Sequence, residues 1–181
     1  MNKIIAIVGM CGSGKSIASD LLEELGWTKI YFGGVTYDKM REEGLEITIE
    51  SERIYREGLR KKYGMGAYAV LLMDKIKEAY ATGNTVLDGV YSWEELKILR
   101  NEFGDELKVI AVIADRHVRY ERLGNRKERS YTRENAVARD IAEIENSAKA
   151  GPIAMADFYI ENTTSSLANY RKRLFEILEM I

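Results

Sequence analysis

Apolar positions in this chain arrive in two rhythms. Nearly continuous runs occur at Ile4-Ile-Ala-Ile-Val8, Thr28-Lys-Ile-Tyr-Phe32, Thr85-Val-Leu-Asp88 and Leu107-Lys-Val-Ile-Ala-Val-Ile-Ala114, with a shorter one at Phe158-Tyr-Ile160. These runs predict strands, and the longest, Leu107–Ala114, together with Thr85–Asp88, reads as buried in the manner of parallel strands. Between them apolar residues recur every three or four positions, as in Ile17, Ala18, Leu21, Leu22, Leu25 and in Met65, Tyr68, Leu72, Ile76, Tyr80. Leu167, Tyr170, Leu174, Ile177, Leu178 and Ile181 repeat the pattern at the end of the chain. These are helix stripes. Val35–Glu43 and Glu50–Tyr63 are also expected to be helical, ended by Gly44 and Gly64. Ser92 and Glu95 have capping-box spacing for a helix through Phe103 that Gly104 stops. Asp115 to Asn146 is charged and helical in pattern, and Gly151-Pro152 marks a break. Five strands alternating with helices predict an α/β fold, a five-stranded parallel sheet sandwiched by helices, with right-handed crossovers.

The first strand breaks into Gly9-Met-Cys-Gly-Ser-Gly14-Lys15-Ser16, which fits the phosphate-binding pattern G-x-x-x-x-G-K-[ST]. Strand, glycine loop and helix occur in the order a phosphate cradle needs. Gly9, Gly12 and Gly14, with Ser13 between them, let backbone N–H groups turn inward around a phosphate chain, and the helix N-terminus adds partial positive charge. Lys15 is expected to reach the β- and γ-phosphates, and the Ser16 hydroxyl to ligate Mg²⁺. With all four fixed positions present, the stretch predicts a nucleoside-triphosphate site and the P-loop NTPase fold rather than a plain glycine turn.

Composition narrows the surroundings of that site. The 181 residues suit one domain, 1–181, and no repeat or linker marks a second. With 27 basic against 29 acidic residues the net charge is −2, which gives no global field for nucleic acid or a membrane surface. One cysteine, Cys11, excludes an internal disulfide and fits a reducing compartment; it reads as a filler of the glycine loop. One histidine, His117, excludes a His-based metal cluster. The opening apolar run is too short for a signal peptide, and nothing approaches the ~20 apolar residues of a membrane span. A soluble, cytoplasmic protein is expected.

Two further features carry chemistry. Asp88 ends an apolar strand, where a carboxylate needs a partner, and Mg²⁺ held by Ser16 supplies one; the alternative is a capping Asp on turn amides. Arg116, Arg119, Arg122, Arg126, Arg129, Arg133 and Arg139 follow the strongest strand. The first four are spaced by three or four, so one helix is expected to present them together, and a triphosphate is the anion that offsets their repulsion. Asp115, Glu121, Glu128, Glu134 and Asp140 interleave as candidate ion-pair partners, which leaves Arg122 and Arg126 as the favoured phosphate contacts. Arg53, Arg56 and Arg60 also share a helix face; they read as solvated, with an acceptor's anionic group as the alternative.

The order of phosphate loop, helical stretch after the second strand, Leu-Asp88-Gly89 and arginine-rich segment resembles the adenylate-kinase-like nucleotide kinases. Within that group it is similar to small proteins related to both adenylate kinase and dephospho-CoA kinase. The resemblance covers the whole chain, though only the phosphate loop is individually specific. It implies a helical acceptor-binding region over about 34–82 and an arginine lid over about 116–148. Asp38-Lys-Met-Arg41 resembles the segment whose arginine binds the acceptor phosphate, and Asp88-Gly89 the metal-side Asp-Gly. Arg122-Leu-Gly-Asn-Arg126 resembles the lid-entry pair, the first arginine on adenine and the second on phosphates. Ala156-Asp157-Phe-Tyr-Ile-Glu-Asn162 resembles the dephospho-CoA-kinase ending, whose loop borders adenine. Two departures matter. Val90-Tyr91-Ser92 stands where adenylate kinases have an acceptor-gripping arginine. Gly33-Gly34 stands where dephospho-CoA kinases have a carboxylate base.

The expected activity is therefore transfer of the γ-phosphoryl group of Mg·ATP to a small nucleotide-like acceptor. The missing base tilts this towards an acceptor that is already an ionised phosphate, with Asp38 as the base in the other case. A regulator or slow ATPase on the same fold is the alternative. A GTPase is excluded, because Asn125-Arg-Lys-Glu128 fails the guanine-reading pattern and no Asp has Gly three residues on.

Overall fold

A computed structural model describes residues 2–127 and 130–181, with Ile49 by its backbone alone. Arg129 and Glu128 lie outside the described residues. The first strand, β1 (Ile4–Val8), shows how the sheet forms: each of its side chains is at most 1% exposed. Ile4, Ala6 and Val8 enter one apolar cluster and Ile5 and Ile7 the other, so the strand has no solvent face and is apolar at every position. After it come α1 (Lys15–Glu24), β2 (Thr28–Tyr31), α2 (Gly34–Glu42), α3 (Ile49–Tyr63), α4 (Ala67–Thr82), β3 (Thr85–Asp88) and α5 (Trp93–Phe103). A 3₁₀ turn (Gly104–Glu106) leads into β4 (Leu107–Ile113), α6 (Arg116–Gly124), α7 (Arg133–Ser147), α8 (Ala150–Ala154), β5 (Phe158–Glu161) and α9 (Leu167–Met180).

The strands lie in the order β2-β3-β1-β4-β5, all parallel. On one face α1 and α9 pack Ala18, Leu21, Leu22, Tyr170, Leu174 and Ile177 against the sheet. On the other, α4 and α5 supply Tyr68, Leu72, Ile76, Leu96 and Leu99. Register pairs Ile7 with both Asp88 and Ile110, so the loops after β1, β3 and β4 leave side by side. In parallel sheets ligands sit in such a crevice at the carboxyl ends, where connections part to opposite faces.

The capping box of α5 has both halves: Glu95 N–H donates to Ser92 Oγ and Ser92 N–H to Glu95 Oε2, each at 3.0 Å. Two expectations need correcting. Pro152 does not mark a break; it lies in the first turn of α8, where the donor that proline lacks is not used. The charged stretch Asp115–Asn146 is two helices. Gly124 and Asn125 end α6, and Tyr131 N–H folds back onto the Leu123 carbonyl at 3.1 Å. The Thr132 hydroxyl then caps α7 by accepting from Asn135 N–H. Among the described residues no helix is long and apolar enough to cross a membrane.

Candidate functional site

The loop between β1 and α1 is shaped by side chains from elsewhere in the chain. Arg119 Nη1 donates to the Cys11 carbonyl (3.0 Å), Asn162 Nδ2 to the Ser13 carbonyl (2.8 Å), and the Tyr170 hydroxyl to the Gly14 carbonyl (3.1 Å). A planar trans peptide points its N–H away from its C=O. Holding these carbonyls outward therefore turns the N–H groups of Gly12, Gly14 and Lys15 towards the inside of the loop. The N-terminus of α1 opens into the same space, and its N-cap, Gly14, has no side chain to cap it. Backbone donors and helix dipole converge there as an anion cradle. Close packing also demands the glycines: at Gly12 (φ 81°) a Cβ would lie 2.7 Å from the Arg119 carbonyl oxygen, and at Gly14 (φ 91°) it would collide with the Asn162 amide. Within this turn the buried Ser13 hydroxyl has no hydrogen-bond partner.

Lys15 is half-buried and Ser16 exposed at the first turn of α1, while Gly9 begins the loop. Asp88 ends β3 with 6% exposure. Burial raises its carboxyl pKa, against the opposing pull of the Lys15 charge and the Ser19 hydroxyl. A cation beside Asp88 would offset that cost. Among the described residues no three His, Cys, Asp or Glu side chains gather as a metal cluster. Hydroxyl plus single carboxylate instead suits Mg²⁺, which keeps waters and shares substrate phosphates.

Arg122, on α6, donates through Nη2 to the Asn162 carbonyl (2.7 Å), while its Nη1 is buried without a partner. It lines a hollow of about 230 Å³ with Gly14, Ile17, Asn162, Ser165, Leu167 and Tyr170. A larger shallow hollow of about 390 Å³ runs along Arg133, Val137 and Ile141 on α7. Convergent polar groups make the smaller one the candidate binding hollow.

The four arginines do not share a helix face. Arg126 is exposed and lies beyond the end of α6, and Arg116 is exposed at its start. Arg119 is 7% exposed and forms a bidentate pair with Asp140, at 2.9 and 2.6 Å. Arg139 binds Glu143 on its own helix, and Arg133 is exposed. The α3 arginines separate as well. Arg53 pairs with Glu50 and Glu57 in solvent, Arg56 reaches Glu52 at 3.5 Å, and Arg60 lies 5.8 Å from the Tyr68 ring centroid. Asp38 and Arg41 sit exposed on α2, bonded to each other at 3.3 Å.

Some residues at the loop were missed in the sequence. Lys149, 1% exposed, places Nζ 2.7 Å from Glu143 Oε2 and 5.0 Å from the centroid of the Tyr91 ring. The two partners shift in ways that do not mirror each other. Burial pushes the Glu143 carboxyl up, but Lys149 and Arg139 outweigh it and hold it at about 2. Lys149 is lowered to about 8 because complete burial and the like charge of Lys15 outweigh its one carboxylate. The firm direction is that of Glu143, which gains two cations. No periodicity or motif distinguishes Lys149 in Ser147-Ala-Lys-Ala-Gly151.

The AAA domain family matches residues 5–143. A UPF0200 protein of Thermococcus onnurineus is 33% identical, the match covering 98% of this chain and 97% of the relative. A UPF0200/UPF0201 protein of Archaeoglobus fulgidus is 34% identical over 97% of this chain; the chain spans about half of that relative, 55%. The shikimate kinase of Bacteroides thetaiotaomicron superimposes with a TM-score of 0.63 at 13% identity, covering 99% of this chain and 98% of that one. Likeness at that identity shows the fold, a P-loop NTPase fold of the kinase-like type. A match to UPF0200 proteins along nearly the full length, together with the AAA domain match, settles the family: the chain belongs to the UPF0200 proteins and carries an AAA domain.

Proposed function

We propose that the chain is an ATP-dependent phosphotransferase that moves the γ-phosphoryl group of Mg·ATP to a small nucleotide-like acceptor. The observation that carries this reading is the loop whose carbonyls are held outward by Arg119, Asn162 and Tyr170, leaving its N–H groups to a phosphate chain. Gly9, Gly12, Ser13, Gly14 and Lys15 bind the phosphates. Adenine occupies the hollow between Arg122 and Asn162, where the unpartnered Nη1 of Arg122 finds its acceptor. Ser16 and Asp88 would hold Mg²⁺, which neutralises phosphate charge when bound.

In the transfer, an acceptor oxygen forms a bond to the γ-phosphorus as the bond to the β–γ bridging oxygen breaks, and that electron pair leaves with ADP. An ionised phosphate acceptor brings its own electron pair, so no proton has to be moved. That fits a β2 followed by Gly33-Gly34 and an Asp38 engaged with Arg41. Lys15, Arg122 and Arg126 act by position and charge, with Arg126 arriving from the segment beyond α6. The Asp38–Arg41 pair on α2 is the acceptor's first contact, opening so that Arg41 takes the acceptor phosphate.

The test is incubation with Mg·ATP and a panel of nucleoside monophosphates, nucleosides and dephospho-CoA, with Lys15→Ala as control. ADP formation that depends on one acceptor and is lost in the control is expected. Hydrolysis that ignores the acceptor, or tight ATP binding without turnover on the full panel, refutes the reading and favours a regulator or slow ATPase.

A further inference from the structure

Three elements bring cations to the region beside the phosphate loop, and one of them, Lys149, is buried. Lys15 comes from α1, Arg139 from α7, and Lys149 from the junction of α7 and α8. Glu143 serves both Arg139 Nε (2.9 Å) and Lys149 Nζ (2.7 Å) with its two oxygens. Lys149 also feels the like charge of Lys15 and faces Tyr91, Glu95 and Cys11. Arg139 and Lys149 therefore share the one carboxylate of Glu143, with the Lys15 charge close by, and a further anion would offset their repulsion.

The backbone that carries Lys149 points the same way. Ala148, the C-cap that follows α7, is the one described non-glycine residue with positive φ (49°, ψ 39°). Alanine in the left-handed region costs energy, and such strain concentrates at functional positions. Here it reverses the chain at the end of α7, so that the next side chain enters the sheet crevice and Lys149 N–H bonds the Glu143 carbonyl (3.1 Å).

We propose that Lys149 is a second ammonium donor to the phosphoryl group in transfer, leaving the Tyr91 face to bind γ-phosphate oxygens opposite Lys15. This rests on the phosphotransferase reading and adds a catalytic residue to it. Glu143 positions the lysine, and Arg139 keeps Glu143 ionised when Lys149 moves to the phosphate. The ligand is an anion that carries the γ-phosphate, so ATP and ADP must be distinguished by this residue.

Calorimetric titration of the full chain with Mg·ATP and with Mg·ADP tests this. Lys149→Gln is expected to weaken Mg·ATP roughly tenfold to a hundredfold, the worth of one charged hydrogen bond, and Mg·ADP less than about threefold. The double variant Glu143→Gln/Lys149→Gln keeps the buried pair neutral and is expected to show the same selective loss if the single variant fails to fold. Without any variant, Mg·ATP binding at alkaline pH is expected to take up part of a proton that Mg·ADP binding does not, because burial favours the neutral lysine and a bound γ-phosphate favours the ammonium. Equal losses for both nucleotides, no loss for either, or equal proton uptake overturns the proposal. Failure of the unaltered chain to bind Mg·ATP would instead overturn the nucleotide reading itself.

Discussion

Arg119 performs two tasks, and they can be separated. Its guanidinium grips Asp140 at 2.9 and 2.6 Å and also donates to the Cys11 carbonyl at 3.0 Å. Both members of the pair are 7% exposed. Arg119→Met leaves Asp140 a buried carboxylate with no cation and only the Tyr120 hydroxyl as donor, a loss of about 3–5 kcal/mol. Against the ~5–15 kcal/mol that holds a domain folded, that is a large fraction. Arg119→Met/Asp140→Leu replaces the ion pair with apolar volume and should return to within about 1 kcal/mol of the parent. The Cys11 carbonyl, however, stays unheld in the double variant. Stability, read by urea unfolding, should therefore recover while ATP affinity, read by calorimetry, stays weakened. Recovery of both together would refute the idea that Arg119 shapes the phosphate loop. A cost below about 1 kcal/mol for Arg119→Met would refute the buried-pair argument.

Burial pushes the Glu95 carboxyl up to about 7, despite the N–H groups of Tyr91 and Ser92. Between about pH 4.5 and 7 the folded chain thus holds a proton that the unfolded chain releases, and stability falls as pH rises through that window. Glu95→Gln mimics the protonated form and should stabilise the protein by roughly 2–3 kcal/mol at pH 8, flattening this dependence in urea unfolding; an unchanged profile contradicts the assignment. Ala148→Gly should raise stability by about 1 kcal/mol in thermal unfolding by relieving a left-handed alanine, and a loss would show the conformation to be unstrained. Tyr170→Phe, which frees the Gly14 carbonyl, should cost about 1 kcal/mol and weaken ATP binding; an unaltered affinity would remove Tyr170 from the loop's scaffold.

The central strands were legible in the sequence because parallel strands buried on both faces have few polar positions to blur them, as β1 illustrates with none. The phosphate loop was legible because its turn, lysine and hydroxyl recur at fixed spacing. What holds the loop was not. Asn162 lies 149 residues from Ser13, Tyr170 lies 156 from Gly14, and Arg119 lies 108 from Cys11; nothing local marks such contacts. The arginines misled because spacing along the chain assigns one face only if the helix continues, and Gly124 ends α6 before Arg126. Lys149 was invisible for a related reason, since a left-handed alanine, which composition does not announce, turns it inward.

The most direct test of the central claim follows the γ-phosphoryl group itself. With γ-labelled ATP, Mg²⁺ and the acceptor that stimulates ADP formation, the label should appear on the acceptor in step with ADP and vanish with Lys15→Ala. Label released only as inorganic phosphate, at a rate no acceptor changes, would contradict it.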